Sequence, residues 1–418
     1  MLFGSSGIRQ EFGPGLVDLA LRIGAAIAAG APGIAVGRDT RTTSELLEHC
    51  VVSGMFSAGA SVYSCGIAPT PTVAHATRQT DAGCMITASH NPESYNGVKL
   101  FNPDGSSFTL RQQAAIEDAI ERTHWKNWDE QGHVRPIDAV DAHREAILDK
   151  VSLSRPITAV LDCGNGAGSV ITPDLLTGAG ATVIGLNCNV MGRFARPSEP
   201  LEANLPYIGE IVRRRDAACA VIHDGDADRM MAFDERGRYI DGDHLLMLFA
   251  KYLDRKRVVT TVDASMAIEE VAEVRRTPVG DSFVSEELLS WGDFGGEASG
   301  SWIFPEHSYC PDGIYAAGLL CEIASEWSIA EELDRMPRYT LLRESHRAGA
   351  PREVMAAMGA DEPTHGIRVE DEDGWYLIRA SGTEPKVRIT AEGRTPAKAK
   401  EMLEAGHTAL ERAKRILE

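Results

Sequence analysis

The chain has no apolar run long enough to cross a membrane. Its Ala-rich stretch from Ala25 to Val36 is broken by Gly30, Pro32 and Gly33, whereas a membrane helix needs roughly 20 consecutive apolar residues. The opening Met1-Leu2-Phe3-Gly4-Ser5-Ser6-Gly7-Ile8-Arg9 lacks the basic start and apolar core of a secretory leader. No membrane partner and a cytoplasmic location are therefore expected. Positive charge is scarce: 42 Lys and Arg face 61 Asp and Glu, a formal net charge of -19. That balance argues against a nucleic-acid partner or an anionic-membrane surface, and any phosphate affinity has to come from a local pocket. Cysteine pairing also lacks a signature. Cys50, Cys65, Cys84, Cys163, Cys188, Cys219, Cys310 and Cys321 are scattered with no C-x-x-C pair, several in apolar runs such as Val160-Leu161-Asp162-Cys163. They read as reduced core residues.

At 418 residues the chain exceeds what one hydrophobic core usually serves, so two to four domains are expected. Short β-branched runs alternate with segments of helical period: Gly33 to Gly37 before Thr43 to Ala58, Ile157 to Asp162 before Ser169 to Thr177, Val258 to Val262 before Ser265 to Val274. This is an α/β pattern. The punctuation Ser57-Ala58-Gly59-Ala60-Ser61-Val62-Tyr63 and Thr177-Gly178-Ala179-Gly180-Ala181-Thr182-Val183-Ile184 repeats: a helix ending on Gly, then a strand, as duplicated domains would show. A polar stretch from Arg122 to Pro136 and a helical segment from Ala139 to Lys150 precede a boundary placed near residue 150. Past about residue 345 the character changes. Gly366-Ile367-Arg368-Val369, the acidic turn Glu370 to Gly374 and Trp375-Tyr376-Leu377-Ile378-Arg379 read as a hairpin, and Pro396 to Leu417 as a closing helix, of a separate α+β domain.

The most informative run is His223-Asp224-Gly225-Asp226-Ala227-Asp228-Arg229, directly after the apolar Cys219-Ala220-Val221-Ile222. In an extended segment alternate side chains share a face, so Asp224, Asp226 and Asp228 can converge. Together they would repel unless a hard cation sits among them. Mg2+ fits, because it accepts few protein oxygens and leaves room for substrate phosphate. The run also mimics an EF-hand, with Glu235 at the twelfth position, but Arg229 stands where the sixth needs Gly, and a strand precedes it instead of a helix.

Cys84-Met85-Ile86-Thr87-Ala88-Ser89-His90-Asn91-Pro92 runs from a strand into a turn and presents a hydroxyl at the strand end. Phosphorylated, Ser89 would bring acceptor oxygens that a neighbouring metal can bind, which makes it a partner for the Asp cluster. Lys99 follows closely and can supply positive charge, or act as an acid/base if burial lowers its pKa. Arg379-Ala380-Ser381-Gly382-Thr383-Glu384-Pro385-Lys386 leaves a strand into a turn suited to a dianion. Arg379 can bind bidentately there, with hydroxyls from Ser381 and Thr383 and backbone N–H groups opened by Gly382. Glu297 and Ser299 in Gly295-Gly296-Glu297-Ala298-Ser299-Gly300 pair a carboxylate with a hydroxyl, as neighbouring sugar hydroxyls require. Gly164-Asn165-Gly166-Ala167-Gly168 is not a dinucleotide motif, since its third Gly position is Ser169; it reads as a tight strand-to-helix turn.

In this order the motifs resemble the α-D-phosphohexomutase family of phosphoglucomutase, phosphomannomutase and phosphoglucosamine mutase. The resemblance is carried by Phe3 to Arg9, Thr87 to Pro92, Asp224 to Arg229, Gly296 to Gly300 and Arg379 to Thr383, spread over nearly the whole chain. It implies an α/β fold of three related mixed α/β domains plus a C-terminal α+β phosphate-binding domain around a central cleft. The division expected is 1–150, 151–247, 248–345 and 346–418, carrying the phosphoserine, metal, sugar and phosphate loops in turn. It further implies that Ser89 is phosphorylated in the active enzyme, with Mg2+ held by that phosphate and Asp224, Asp226 and Asp228. Arg9 and Arg229 would line the transfer site, and Lys99 matches a lysine assigned acid/base work. Thr277-Pro278-Val279-Gly280 resembles a further sugar-contacting loop.

The reaction implied interconverts a hexosamine or hexose 6-phosphate with its 1-phosphate through a sugar bisphosphate, which also serves as activator. Gly300-Ser301-Trp302-Ile303-Phe304-Pro305 is most similar to the archaeal phosphoglucosamine mutase branch, so glucosamine 6-phosphate is the first choice of substrate. The alternatives are a phosphomannomutase or phosphoglucomutase and, further off, a Ser- and metal-dependent phosphomonoesterase. Ser301 stands where many members carry His, which leaves the general base open. A small sugar phosphate is the expected partner, and the protein a monomer or homodimer.

Overall fold

In a computed structural model that describes every residue except Met1, Ser5, Ser6, Thr123, His124, Asp361, Pro363, Thr364, 381–384 and Glu418, the chain forms four sheets. The first has six strands in the order Ile8–Glu11, Tyr95–Phe101, Ala82–Ile86, Gly33–Arg38, Ser61–Ile67, Val134–Pro136. Gly33–Arg38 runs parallel to both neighbours, while Tyr95–Phe101 is antiparallel to its own. Successive strand residues face opposite sides. Ile34 and Val36 therefore enter a core under the helices Pro14–Ala28, Ser44–Ser57 and Leu110–Ile120, and Ala35 and Met85 enter another under Thr70–Ala76. The helices Pro14–Ala28 and Ser44–Ser57 touch backbone to backbone: a Cβ on Gly24 would stand 2.0 Å from Val51 O, and one on Gly54 1.9 Å from Leu21 O. Leu110–Ile120 starts on a capping box between Thr109 and Gln112.

The second sheet has the order Tyr239–Ile240, Met230–Asp234, Cys219–His223, Thr158–Asp162, Thr182–Leu186. The third has the order Glu273–Thr277, Arg257–Thr261, Phe294–Glu297, Ser301–Ile303. One continuous core, with Leu161, Val221, Phe249, Trp302 and Ile314 among its members, joins these two units. The fourth sheet is wholly antiparallel, Thr340–Arg347, Lys386–Gly393, Gly374–Ala380, Ile367–Glu370, and packs on the helix Pro396–Leu417. The architecture is thus three mixed α/β domains followed by an antiparallel-sheet domain.

Some details differ from the reading of the sequence. Ser265 to Val274 is not one helix: a short 3-10 turn, Met266–Glu270, gives way to the strand Glu273–Thr277, which lies in parallel register with Arg257–Thr261. Pairing at that sheet edge outweighs local helical propensity. A cut at 247 would split the helix Gly242–Tyr252, and one at 345 would split the strand Thr340–Arg347. Among the described residues no helix is long and apolar enough to cross a membrane, and all eight cysteines are free.

Candidate active site

The Asp loop is a hairpin end. Cys219–His223 and Met230–Asp234 pair antiparallel with His223 opposite Met230, and the loop between them curls, with Ala227 at φ 53. The carboxylates of Asp224, Asp226 and Asp228 converge through that curl and not through extended alternation; their ligand oxygens all lie within 4.8 Å of one another, in full burial. Burial and the repulsion of Asp228 and Asp226 push the Asp224 carboxyl well above the usual range. Asp226 goes the other way: burial would raise it, but Lys99 and Thr70 beside it hold it below the usual range.

Ser89 comes to this loop from the first domain. Its Oγ donates to Asp224 Oδ2 at 2.8 Å and lies 3.4 Å from Asp228 Oδ1. Ser89 is buried and held in the left-handed region, φ 49, a conformation that costs a non-glycine residue energy and persists only where surroundings enforce it. Thr87 Oγ1 accepts from Ser89 N at 2.8 Å and donates to Asp39 Oδ2 at 2.8 Å.

Lys99 reaches the same group, its Nζ donating to Asp226 Oδ2 at 2.8 Å and to Asp228 Oδ2. Burial alone would lower its pKa, yet the two carboxylates carry it above the ordinary lysine value, so Lys99 is a buried, charged lysine and the condition set for acid/base work, a lowered pKa, is not met here. Arg9 lies opposite Gly97, on the strand that carries Lys99, and its Nη1 donates to Asn91 Oδ1 at 3.3 Å. Arg229 is nearly buried. Its backbone N donates to Asp224 Oδ1 at 3.3 Å, its Nη1 stands 3.9 Å from Glu199 Oε1, and its backbone forms an isolated bridge with Ser301.

That bridge brings the third domain to the site. Glu297 ends a strand opposite Ser301, accepts from Gly280 N at 2.8 Å through Oε1 and from Ser299 Oγ at 3.3 Å through Oε2. The Thr277 to Gly280 loop and the Glu297 loop are therefore one surface. Burial, with Asp281 nearby, raises the Glu297 carboxyl to about 7.

A divalent cation fits the acidic cluster. Among the described residues Asp226 Oδ1 is buried with no hydrogen-bond partner, an all-oxygen donor set suits a hard ion, and burial with mutual repulsion keeps the Asp224 and Asp228 carboxyls raised despite Lys99 and Arg229 beside them.

The chain's resemblances agree with this geometry. Models described as phosphoglucomutase/phosphomannomutase alpha/beta/alpha domains I, II and III match residues 1–127, 138–237 and 241–339, and the C-terminal domain of that family matches 342–405. The chain belongs to the phosphoglucomutase/phosphomannomutase family. It is 44% identical over 412 residues, 94% of this chain and 93% of the other, to a probable phosphoglucosamine mutase of Methanocella arvoryzae. It is 40% identical over 447 residues, 97% of each chain, to a phosphoglucosamine mutase of Methanococcus aeolicus. Among solved structures, a phosphoglucomutase/phosphomannomutase family protein of Burkholderia thailandensis superposes with TM-score 0.88 at 26% identity, covering 99% of this chain and 98% of that one. The chain is a phosphohexomutase.

One part of the sequence reading stands apart from the Ser89 group. Arg379 of this phosphohexomutase lies on the fourth sheet opposite Arg388, its Nη2 3.8 Å from Asp263 Oδ2 of the third unit. Ser381, Gly382 and Thr383 lie outside the described residues.

Several residues at the site escaped the reading of the sequence. Arg41 is buried, paired through Nε with Asp39 Oδ2 at 2.9 Å, and its two other nitrogens donate to the carbonyls of Ser89 (2.7 Å), Asn91 (2.8 Å), Pro92 (2.6 Å) and Tyr95 (3.0 Å). It grips the serine loop from behind. Ser198 Oγ accepts from Gly225 N at 2.9 Å and donates to Ser89 O at 3.2 Å, tying the serine loop to the Asp loop. The only local sign of the first was a charged run, Arg38-Asp39-Thr40-Arg41, at a strand end; Ser198 left none.

Proposed function

We propose that this phosphohexomutase interconverts glucosamine 6-phosphate and glucosamine 1-phosphate, with Ser89 as the residue that carries the phosphoryl group. The observation that supports this most is the buried Ser89 hydroxyl, strained in backbone and 2.8 Å from Asp224 within a cluster of three carboxylates and a lysine. The preference for an amino sugar rests on relatives named phosphoglucosamine mutase at 40% and 44% identity over nearly full length.

In this reading a hydroxyl of the bound sugar monophosphate attacks phosphorus as the bond to Ser89 Oγ breaks, leaving a sugar bisphosphate. After reorientation the bisphosphate returns its other phosphate to Ser89. A sugar 1,6-bisphosphate added in catalytic amount primes the serine. Asp224, Asp226, Asp228 and the Ser89 oxygen would hold Mg2+, which when bound neutralises phosphoryl oxygens. Arg9 and Arg229 add fixed positive charge around the transferred group, and Lys99, kept charged by its neighbours, supplies a proton or charge at the serine. Catalysis then rests on positioning and charge neutralisation. Glu297 and Ser299 take sugar hydroxyls, while Arg379 with Ser381, Gly382 and Thr383 takes the phosphate that is not reacting. Both orientations of the bisphosphate present these same features, which is why one clamp serves both half-reactions. The protein would work in the cytoplasm on a small soluble substrate, as a monomer or homodimer.

Phosphorus NMR tests the reading directly. Purified protein with Mg2+ and catalytic bisphosphate is given glucosamine, glucose and mannose 6-phosphates in parallel. Fastest growth of glucosamine 1-phosphate is the expected result. Preference for glucose or mannose would move the protein to the other branch, and inorganic phosphate without any 1-phosphate would replace the mutase by a phosphatase.

A further inference from the structure

Behind the Asp loop lies a second group of converging side chains that the phosphoryl-transfer site does not use. His143 comes from the helix Ala139–Leu148, and His307 and Asp312 from the segment ahead of the helix Gly313–Glu326. All three side chains are at most 2% exposed. His143 Nε2 is 3.0 Å from Asp312 Oδ2, His307 Nε2 is 3.1 Å from the same oxygen, and the two Nε2 atoms are 3.4 Å apart.

These three edges are those of a metal coordination polyhedron. With metal–ligand bonds of about 2.05 Å, tetrahedral ligand atoms stand about 3.3 Å apart and octahedral neighbours about 2.9 Å. Two Nε2–H groups donating to Oδ2 would form the same triangle with the donors 3.4 Å apart, and a cation inside it would take the place of both protons. The outer partners are those of a ligand set. Thr72 Oγ1 lies 2.9 Å from His143 Nδ1 and can take the Nδ1 proton, leaving the Nε2 lone pair free, while Asp312 Oδ1 is occupied by Ile314 N (2.9 Å) and Tyr315 N (2.8 Å). His75 stacks on His143 with centroids 5.1 Å apart, and its buried Nδ1 has no hydrogen-bond partner among the described residues.

We propose that His143, His307 and Asp312 bind a divalent ion of the Zn2+ or Co2+ class, separate from the oxygen-only site of Asp224, Asp226 and Asp228. Two imidazole nitrogens and one carboxylate oxygen are the donors a borderline transition ion selects over Mg2+. The ion's place is structural. It ties the helix Ala139–Leu148 to the start of Gly313–Glu326, and Thr72 links it to the helix Thr70–Ala76. Both flanking helices touch the Asp loop. Thr70 N donates to Asp226 O at 2.9 Å and Thr70 Oγ1 donates to the Asp226 carboxylate, while a Cβ on Gly313 would stand 2.6 Å from Arg229 O. A brace here fixes the backbone that carries the catalytic carboxylates.

The test uses full-length protein, chelator-stripped and dialysed against Co2+. The expected result is one equivalent, beyond any held by the acidic cluster, that shows the visible d–d bands of a tetrahedral, nitrogen-containing site, displaced by Zn2+ with a rise in Tm. His307→Gln and His143→Gln should each remove the bands. Asp226→Asn, in the acidic cluster, and His407→Gln, in the more exposed Glu344, His346 and His407 group, should leave them in place. Absence of the bands from the wild-type protein, or their survival in both His307→Gln and His143→Gln, would overturn the proposal. The wild-type spectrum decides the matter even if one variant fails to fold.

Discussion

Ser89 and Asp224 are 135 positions apart in the chain and meet at 2.8 Å. Removing the hydroxyl should therefore remove the chemistry while leaving its surroundings standing. Ser89→Ala is expected to lower mutase turnover on the order of 10^4-fold or more, to resist labelling by radioactive sugar bisphosphate, and to melt close to wild type. Glu297 offers a test by pH. Its carboxyl is raised by burial and by Asp281 to about 7, so as pH falls through 7 it gains a proton and loses acceptor capacity for sugar hydroxyls. Wild-type kcat/KM should fall on the acid side with an apparent pKa near 7 in the free enzyme. Glu297→Gln should be slow at every pH and lack that limb, which separates the residue from the substrate's own phosphate titration. The serine and aspartates were legible in the sequence because each motif is local and chemically distinctive. The upward shift of Lys99 was not, because it depends on Asp226 and Asp228, 127 and 129 positions away.

Strand ends and the loops that leave them do most of the positioning. The loop after Gly33–Arg38 places Asp39 and Arg41 so that one guanidinium collects four carbonyls of the segment from Ser89 to Tyr95. Arg41→Ala would strip those carbonyls and strand Asp39 as a buried, unpaired charge. A loss of about 3–5 kcal/mol is expected in urea unfolding, together with a fall in kcat. Arg41→Lys should rescue little, since an ammonium cannot spread along four acceptors and Asp39 at once. The alternation of strands and helices in the first three domains, the hairpin at Ile367–Glu370 and Gly374–Ala380, and the helix Pro396–Leu417 followed from periodicity and turn residues. Ser265 to Val274 did not, because its second half joins a sheet edge through Glu273–Thr277, whose partner strand is Arg257–Thr261.

The fourth domain is held to the third by a buried carboxylate. Glu392 accepts from Ser265 Oγ at 2.6 Å, Met266 N at 2.8 Å and Trp375 Nε1 at 2.7 Å, beside a small core of Met266, Trp375 and Leu377. Glu392→Ala leaves three buried donors unpaired, each costing about 1–3 kcal/mol, and should loosen this seam. A larger radius of gyration by X-ray scattering and a KM for sugar phosphate raised about tenfold are expected, with the first three domains melting as in wild type. Metal removal acts on the whole cleft differently. Chelator treatment is expected to abolish turnover and Mg2+ to restore it, while far-UV circular dichroism changes little, because Lys99 still counters Asp226 and Asp228.

What the sequence by itself determined was local: the acidic hairpin loop, the serine turn, the Glu297 to Ser299 pair, and the alternating pattern of an α/β chain. Each depends on residues within a few positions of one another, where spacing and chemistry are directly visible. Tertiary structure alone decided which loops face each other and what supports them. The Arg41 clamp, the Ser198 bridge, the Glu392 seam and the group of His143, His307 and Asp312 all join segments far apart in the chain. Their energetics come from burial and from paired charges in a low-dielectric interior, neither of which exists until the domains have packed.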